Sequence, residues 1–395
     1  MGSVIDLERE RALTPGCQGQ AFLDSAGSSL PPRPVVDAVV AHLRREEQVG
    51  GYRAAAERAE DLAAVRRSVA GLVGGAADEI ALVDSATRAW QLFVTAIRWQ
   101  AGDRILICGN EYASNAIAFL QRARTEGCSV ETVPSLADGT PDLDAYADLL
   151  DERVRLVSLV HVPTNSGTVA PVRELAALAR SAGALTVLDA CQSVGQLRTD
   201  VAELGVDALT VTGRKWLRAP RGTGFLWLRR ELVAGLEPVA ADMHGGDWTT
   251  AGSYQLHPDA TRFELFESDV AATLGLGVAV DHLLDLGADD VEAAVRARAG
   301  VLRGALAELP GVTLRDEGED LSGIVSFTVA GNEPRAVASR LREHGVTVSV
   351  SGRGSTLIDM TARGLDAVVR ASPHYFNSAE DLARAVEAVA AVTVS

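Results

Sequence analysis

The stretch Asp207-Ala208-Leu209-Thr210-Val211-Thr212-Gly213-Arg214-Lys215-Trp216-Leu217-Arg218-Ala219-Pro220-Arg221-Gly222-Thr223-Gly224-Phe225-Leu226-Trp227-Leu228 decides how the rest of the chain reads. Ala208 to Val211 and Phe225 to Leu228 are short apolar runs of strand composition, and the polar, glycine-rich segment between them carries one lysine, Lys215. A lysine held where two strands pack and their connection turns over a pocket is desolvated enough to act as a neutral amine and form a Schiff base. The competing reading is a solvated surface charge, which is what most lysines are.

Upstream, Leu185 to Ala190 reads as a buried strand ending in Asp189, with Gln192 just beyond. An acid at the C-terminal end of a parallel strand sits where open α/β sheets bind ligands. Pyridoxal phosphate needs an aldehyde-binding lysine and a carboxylate that keeps its ring nitrogen protonated. Lys215 and Asp189 supply that pair.

Working outward, strand-like runs at Ile80 to Val83, Arg104 to Cys108, Ser129 to Val133, Arg155 to Val160 and Leu185 to Leu188 alternate with helix-like segments. Alternation of this kind predicts an α/β fold with a mostly parallel sheet covered on both faces. Residues 1–20 read as a loosely structured lead-in and 21–260 as the large domain. Within the large domain, Val35, Val36, Val39, Val40 and Leu43 form the apolar stripe of one helix, which Gly50-Gly51 breaks. A second helix is predicted over Ala54 to Val73. Residues 280–395 form a smaller α+β domain, with strands at Ile324 to Val329 and Val346 to Val350 and a closing helix over Ala379 to Val392.

Three further segments fall at strand ends. Asp84-Ser85-Ala86-Thr87 precedes a helix, so the backbone N–H groups of Ala86 and Thr87 make an anion site suited to a cofactor phosphate, or else Ser85 or Thr87 is an ordinary N-cap. Tyr112, in Glu111-Tyr112-Ala113-Ser114-Asn115, either stacks on a planar ring or is a half-buried core residue. Asn165, in His161-Val162-Pro163-Thr164-Asn165, is placed to donate to a ring oxygen, and His161 is equally well a structural histidine. Their joint placement on the rim that carries Asp189 is the argument for a site.

The chain has 395 residues and a net charge of −16, which argues against a nucleic-acid surface, since such binding depends on clustered Lys and Arg. Cys17, Cys108, Cys128 and Cys191 show no Cys-x-x-Cys pairing, so no metal site or disulfide framework is expected. No apolar run reaches membrane-spanning length and no signal pattern precedes the fold, so no membrane association and a cytoplasmic location are expected.

On these residues the sequence resembles aminotransferase class V, the pyridoxal-phosphate enzymes of fold type I that include cysteine desulfurases and isopenicillin N epimerase. The resemblance implies that Asp189 and Gln192 contact the ring nitrogen and ring oxygen, that Lys215 carries the cofactor, and that Thr212 binds its phosphate. Arg214 stands where many relatives have His, and Tyr112 replaces a stacking His. Arg370, in Val369-Arg370-Ala371-Ser372, matches the arginine that clamps a substrate α-carboxylate. Arg262-Phe263-Glu264 resembles an Arg-Phe-Glu motif whose usual Gly-Thr, which reaches a neighbouring subunit's phosphate, is absent, and Ser268 is the candidate to compensate. The family implies a homodimer.

Desulfurases carry a mobile-loop cysteine shortly before the carboxylate arginine, and Ser349-Val350-Ser351-Gly352-Arg353-Gly354-Ser355-Thr356 has none. Glu47 to Tyr52, Glu111-Tyr112 and the Arg-Lys-Trp-Leu run look closest to a branch with the ergothioneine C–S lyases and the cysteine-conjugate enzymes of lincosamide assembly. The expected reaction is β-elimination on an S-substituted cysteine. Decarboxylation-coupled oxidative deamination to an aldehyde, and a class V aminotransferase or epimerase, are the alternatives. Loops at 25–32, 48–54 and 242–260 are expected to recognise the group on sulfur.

Overall fold

In the computed structural model, which describes residues 5–393, strand β1 (Ala21–Phe22) follows a helix at Leu7–Ala12. That helix lies in the segment read as a loosely structured lead-in. It forms because the Asp6 side chain caps it, accepting from the Arg9 N–H, and because its charged residues find fixed partners. The buried Glu10 meets His282 at 2.7 Å and Arg11 meets Asp381 at 2.6 Å.

Seven strands build the central sheet: β2 (Ile80–Val83), β3 (Arg104–Cys108), β4 (Ser129–Val133), β5 (Val154–Val160), β6 (Leu185–Asp189), β7 (Ala208–Thr212) and β8 (Gly224–Leu228). Their spatial order is β2-β8-β7-β6-β5-β3-β4. The pairs from β4 through β7 are parallel, and β8 runs antiparallel to both of its neighbours. Successive side chains of a strand point to opposite faces, so Leu106 and Cys108 join one core with Val157, Leu188 and Leu209. Ile105 and Ile107 join the other, with Leu156, Val187 and Ala208. The connection from β3 runs outward to β4, and the chain then returns as β5 on the other side of β3. This opens a crevice at the C-terminal ends of β3, β5 and β6, where open α/β sheets bind ligands.

The helix at Arg33–Val49 forms as expected, but its apolar stripe is not a core stripe. Val35 is buried and Val39 lies over Gly275 of the helix Val270–Leu286, whereas Val36, Val40 and Leu43 are exposed. The helix predicted over 54–73 is two helices, Gly51–Glu57 and Ala59–Val73, broken at Arg58, whose φ of −114° leaves the helical range.

A hairpin of β9 (Gly246–Thr250) and β10 (Ser253–Leu256) precedes the C-terminal layer. That layer is built on β11 (Val312–Leu314), β12 (Val325–Val329), β13 (Val346–Thr347), β14 (Ser349–Gly352) and β15 (Ala367–Ala371). The run expected as one strand over 346–350 splits at Val348 because its halves have different partners: β13 pairs with β1, and β14 with β15. Ala21 and Leu23 pack in one core with Val325, Phe327 and Val369, so the N-terminal strand belongs to the C-terminal layer in space. Among the described residues no single helix is long and apolar enough to cross a membrane.

Candidate active site

A cavity of about 370 Å³ opens at the crevice. Its walls bring together Ala86, Thr87, Tyr112, Asp189, Gln192, Thr212, Arg214 and Lys215 from four separate segments of the chain. At one end the helix Ala86–Ala96 begins, with Ser85 as its N-cap accepting from the Arg88 N–H at 3.2 Å. The capping and anion-site readings of this segment are compatible, because the cap leaves the first-turn N–H groups of Ala86 and Thr87 without helical partners. Gly224 is required here: a Cβ on it would lie 2.5 Å from the Val211 carbonyl oxygen and 3.3 Å from the Ala86 nitrogen. Thr212, Arg214 and Arg221 add a hydroxyl and two guanidinium groups to the same cavity.

At the opposite wall, Asp189 ends β6 with both carboxylate oxygens held. Oδ1 accepts from the Cys191 N–H at 3.0 Å and Oδ2 from Asn115 Nδ2 at 2.8 Å. Gln192 accepts from Trp216 Nε1 at 2.9 Å and donates to the Ala26 carbonyl at 3.1 Å. Lys215 projects between these walls, and burial pulls its amine below the ordinary lysine value, with Arg370 and Arg214 acting in the same sense against Cys191 and Asp189. Burial pushes the Cys191 thiol well up, so it is held as a thiol. Arg214 donates to the Gly27 carbonyl, and its own carbonyl accepts from the Ser29 N–H at 2.9 Å, tying the lysine loop to the 25–32 loop.

Arg370 lies behind the cavity wall. Its Nε donates to Ser349 Oγ at 3.1 Å, and Nη1 donates to the Thr164 carbonyl and hydroxyl at 2.9 and 2.7 Å. Its Nη2 faces Asp24 Oδ1 at 3.5 Å. Asn165 is not brought into the wall: its amide donates to Asp359 at 2.6 Å, and the preceding Thr164 lines the cavity instead. Ser268 is exposed and lies outside this cavity. Within one chain the Arg-Phe-Glu segment is structural. Arg262 donates to the carbonyls of His257, Val233 and Leu236, and Glu264 accepts from Arg66, His244 and the Leu82 N–H.

The sequence reading passed over Asn115, Thr164 and Arg221 in the wall and Glu111 behind it. It also overlooked a count that singles out the reactive group: Lys215 is the only lysine among 37 basic residues.

The sequence model of aminotransferase class V matches residues 21–385. This chain belongs to aminotransferase class V. It is 32% identical to a probable cysteine desulfurase 2 of Mycobacterium leprae, over 93% of this chain and 90% of that one. The cysteine desulfurase of Thermococcus onnurineus in its apo form superposes with a TM-score of 0.92, at 25% identity and with all of both chains covered. C-DES with glycine covalently linked to its PLP cofactor shares the fold at a TM-score of 0.88 and 23% identity, covering 96% of this chain and 98% of that one. As a class V member the chain is a pyridoxal-phosphate enzyme of fold type I. The cavity fits that cofactor in its own chemistry: an anion-binding helix start at one end, a carboxylate held by two donors at the other, and the single lysine between them.

Proposed function

We propose that this class V enzyme is a C–S lyase that performs β-elimination on an S-substituted cysteine conjugate in secondary-metabolite or thiol biosynthesis. With one water, the conjugate gives free thiol, pyruvate and ammonia. The observation that carries the reading is a buried Lys215, whose amine burial makes easier to deprotonate, in a cavity that offers no reactive thiol and has the buried Arg370 behind its wall. All four cysteines are buried, the loop 349–356 contains none, and the one that lines the cavity, Cys191, is held protonated. A sulfur acceptor of the mobile-loop kind is therefore missing, although the curated relatives are named desulfurases.

Ala86, Thr87, Thr212 and Arg214 would hold the cofactor phosphate, Tyr112 would cover the ring, and Asp189 and Gln192 would hold its nitrogen and oxygen sides. Bound pyridoxal phosphate supplies the electron sink for the pair left when the α-proton departs. Arg370 binds the substrate α-carboxylate through its Nη2 edge, where the substrate competes with Asp24, and fixes the α-carbon in the cavity. Lys215 Nζ, whose deprotonation burial favours, would take the α-proton and, once charged, can return a proton to the leaving sulfur.

Asp24 favours a second reading. A carboxylate 3.5 Å from the clamp weakens the hold on a substrate carboxylate, which suits decarboxylation with oxidative deamination to an aldehyde, a two-electron oxidation that would consume dioxygen and one water and release hydrogen peroxide and ammonia. Product analysis separates the two. Thiol with pyruvate supports elimination, and carbon dioxide with a thioether aldehyde overturns it.

We also propose a homodimer in the cytoplasm. The exposed Val36, Val40 and Leu43, with Trp248 and Tyr254 of the hairpin, support a partner surface. Sedimentation showing a fully active monomer would contradict this.

A further inference from the structure

We propose that Glu111 is a positioning residue which, through the amide of Asn115, holds Asp189 in the orientation it presents to the cavity. The proposal rests on the reading of Asp189 as the partner of the cofactor ring nitrogen. Three facts carry it. Asn115 Nδ2 has two hydrogens and two carboxyl acceptors, Glu111 Oε1 at 3.0 Å and Asp189 Oδ2 at 2.8 Å. All three side chains are buried, and Glu111 lies behind the cavity wall. Glu111 is itself fixed from both sides, with Oε1 accepting from the Tyr112 N–H at 2.9 Å and Oε2 hydrogen-bonded to the Ser158 hydroxyl.

An asparagine amide can be rotated half a turn, and only the neighbours decide which end faces which acceptor. With Glu111 as an acceptor on one side, the NH₂ end of Asn115 must lie between the two carboxyls, so Asp189 meets a donor. Without it, the carbonyl end of Asn115 can turn toward Asp189 and repel it. Asp189 would then keep only the Cys191 N–H as a support.

Two carboxylates sharing one amide cannot both be charged at low cost. Burial pushes the Glu111 carboxyl up to about 7, the Ser158 and Asn115 hydrogen bonds oppose that, and the Asp189 charge adds to it. The titratable groups facing Glu111 are Asp189, whose carboxylate raises it, and the Cys108 thiol, which burial holds protonated with a value near 12. Below neutral pH Glu111 is therefore mostly neutral, an acceptor for Asn115 that adds no second charge beside Asp189. Glutamine reproduces that neutral form, with its carbonyl facing Asn115 and its NH₂ facing Ser158.

The test measures binding of pyridoxal 5′-phosphate to the apo-protein, with thermal melting as a control for folding. At pH 6, Glu111→Gln should bind within about twofold of the parent, while Glu111→Leu and Asn115→Ser should each weaken binding about tenfold. A cation placed beside Asp189 favours ionised Glu111, so between pH 6 and 8.5 the parent should gain affinity relative to Glu111→Gln. Asn115→Ser breaks the bridge with both carboxyls in place and gives the same answer if Glu111→Leu fails to fold. Parent-like binding by folded Asn115→Ser or Glu111→Leu, or a parent-to-glutamine ratio that does not move with pH, overturns the proposal. Asp189→Asn separates the two levels. If it also binds like the parent, the assignment of Asp189 is wrong; if it binds weakly while Glu111→Leu does not, only the role of Glu111 falls.

Discussion

Replacing Arg370 with lysine tests whether the substrate carboxylate is held by a fork or merely by a charge. The guanidinium is buried, and its Nε and Nη1 are committed to Ser349 and Thr164 at 2.7–3.1 Å, which orients the Nη2 edge. A lysine ammonium keeps the charge but is a single donor centre, and it cannot bond Thr164 and a carboxylate in one plane. Loss of one charge-assisted hydrogen bond costs about 1.5–3 kcal/mol. At about 1.4 kcal/mol per tenfold, Arg370→Lys should lower kcat/KM by about 10- to 150-fold. KM should rise, and kcat should fall as well, because the carboxylate anchor also sets the direction of the α-C–H bond. The assay couples pyruvate from an S-alkyl cysteine to lactate dehydrogenase, with direct thiol detection as a check. A variant within threefold of the parent in kcat/KM would falsify the fork, and a change confined to KM would show that the anchor supplies binding without orientation.

Lys215→Ala should abolish turnover, and borohydride reduction of the cofactor-loaded parent should fix one adduct on Lys215, the only lysine, with none in the variant. Gly224→Ala pushes a Cβ against backbone on both sides, at a cost of about 1–3 kcal/mol; its melting temperature should drop and its affinity for pyridoxal phosphate should fall, whereas parent-like affinity would move the phosphate end away from Ser85–Thr87. The hydrogen bond with Glu264 raises His244 above its ordinary 6.5, so the stability from this pair is complete below pH 6.5 and is lost as pH rises through the raised value. Melting temperatures of the parent and His244→Gln should therefore converge above that value, and parallel curves from pH 5.5 to 8.5 would show that the pair adds nothing.

The seven-stranded sheet was legible because its strands are short runs, most of them apolar and β4 (Ser129–Val133) mixed polar and apolar, bounded by turn residues, a local signal that survives without knowledge of partners. Asp189 and Lys215 were legible for a related reason: strand ends point at one rim. What escaped is long-range. Nothing near Val348 says that β13 and β14 pair with different strands, because β1 lies far upstream. The stripe on Val36, Val40 and Leu43 has helical spacing whether or not a single chain covers it. Asn165 has the residue type for a cofactor contact, but Asp359, distant in sequence, takes its amide. Glu111 was quoted within a motif and given no role, since its link to Asp189 passes through a third side chain.

The pairing of β1 with β13 also sets an order of events during synthesis. Gln20 and Thr347, which are hydrogen-bonded beside that pair, lie 327 residues apart along the chain. At about 5–20 residues per second, β1 waits on the order of 16 to 65 seconds for its partner strand to be made. Throughout that interval Ala21, Phe22 and Leu23 form an unpaired apolar edge of the kind that seeds association between chains. The charged run Asp6, Glu8, Arg9, Glu10 and Arg11 stands immediately upstream, where it can act as a gatekeeper until Glu10 and Arg11 meet His282 and Asp381. Substitutions that neutralise this run should therefore lower the yield of soluble protein more than they lower the stability of the folded enzyme.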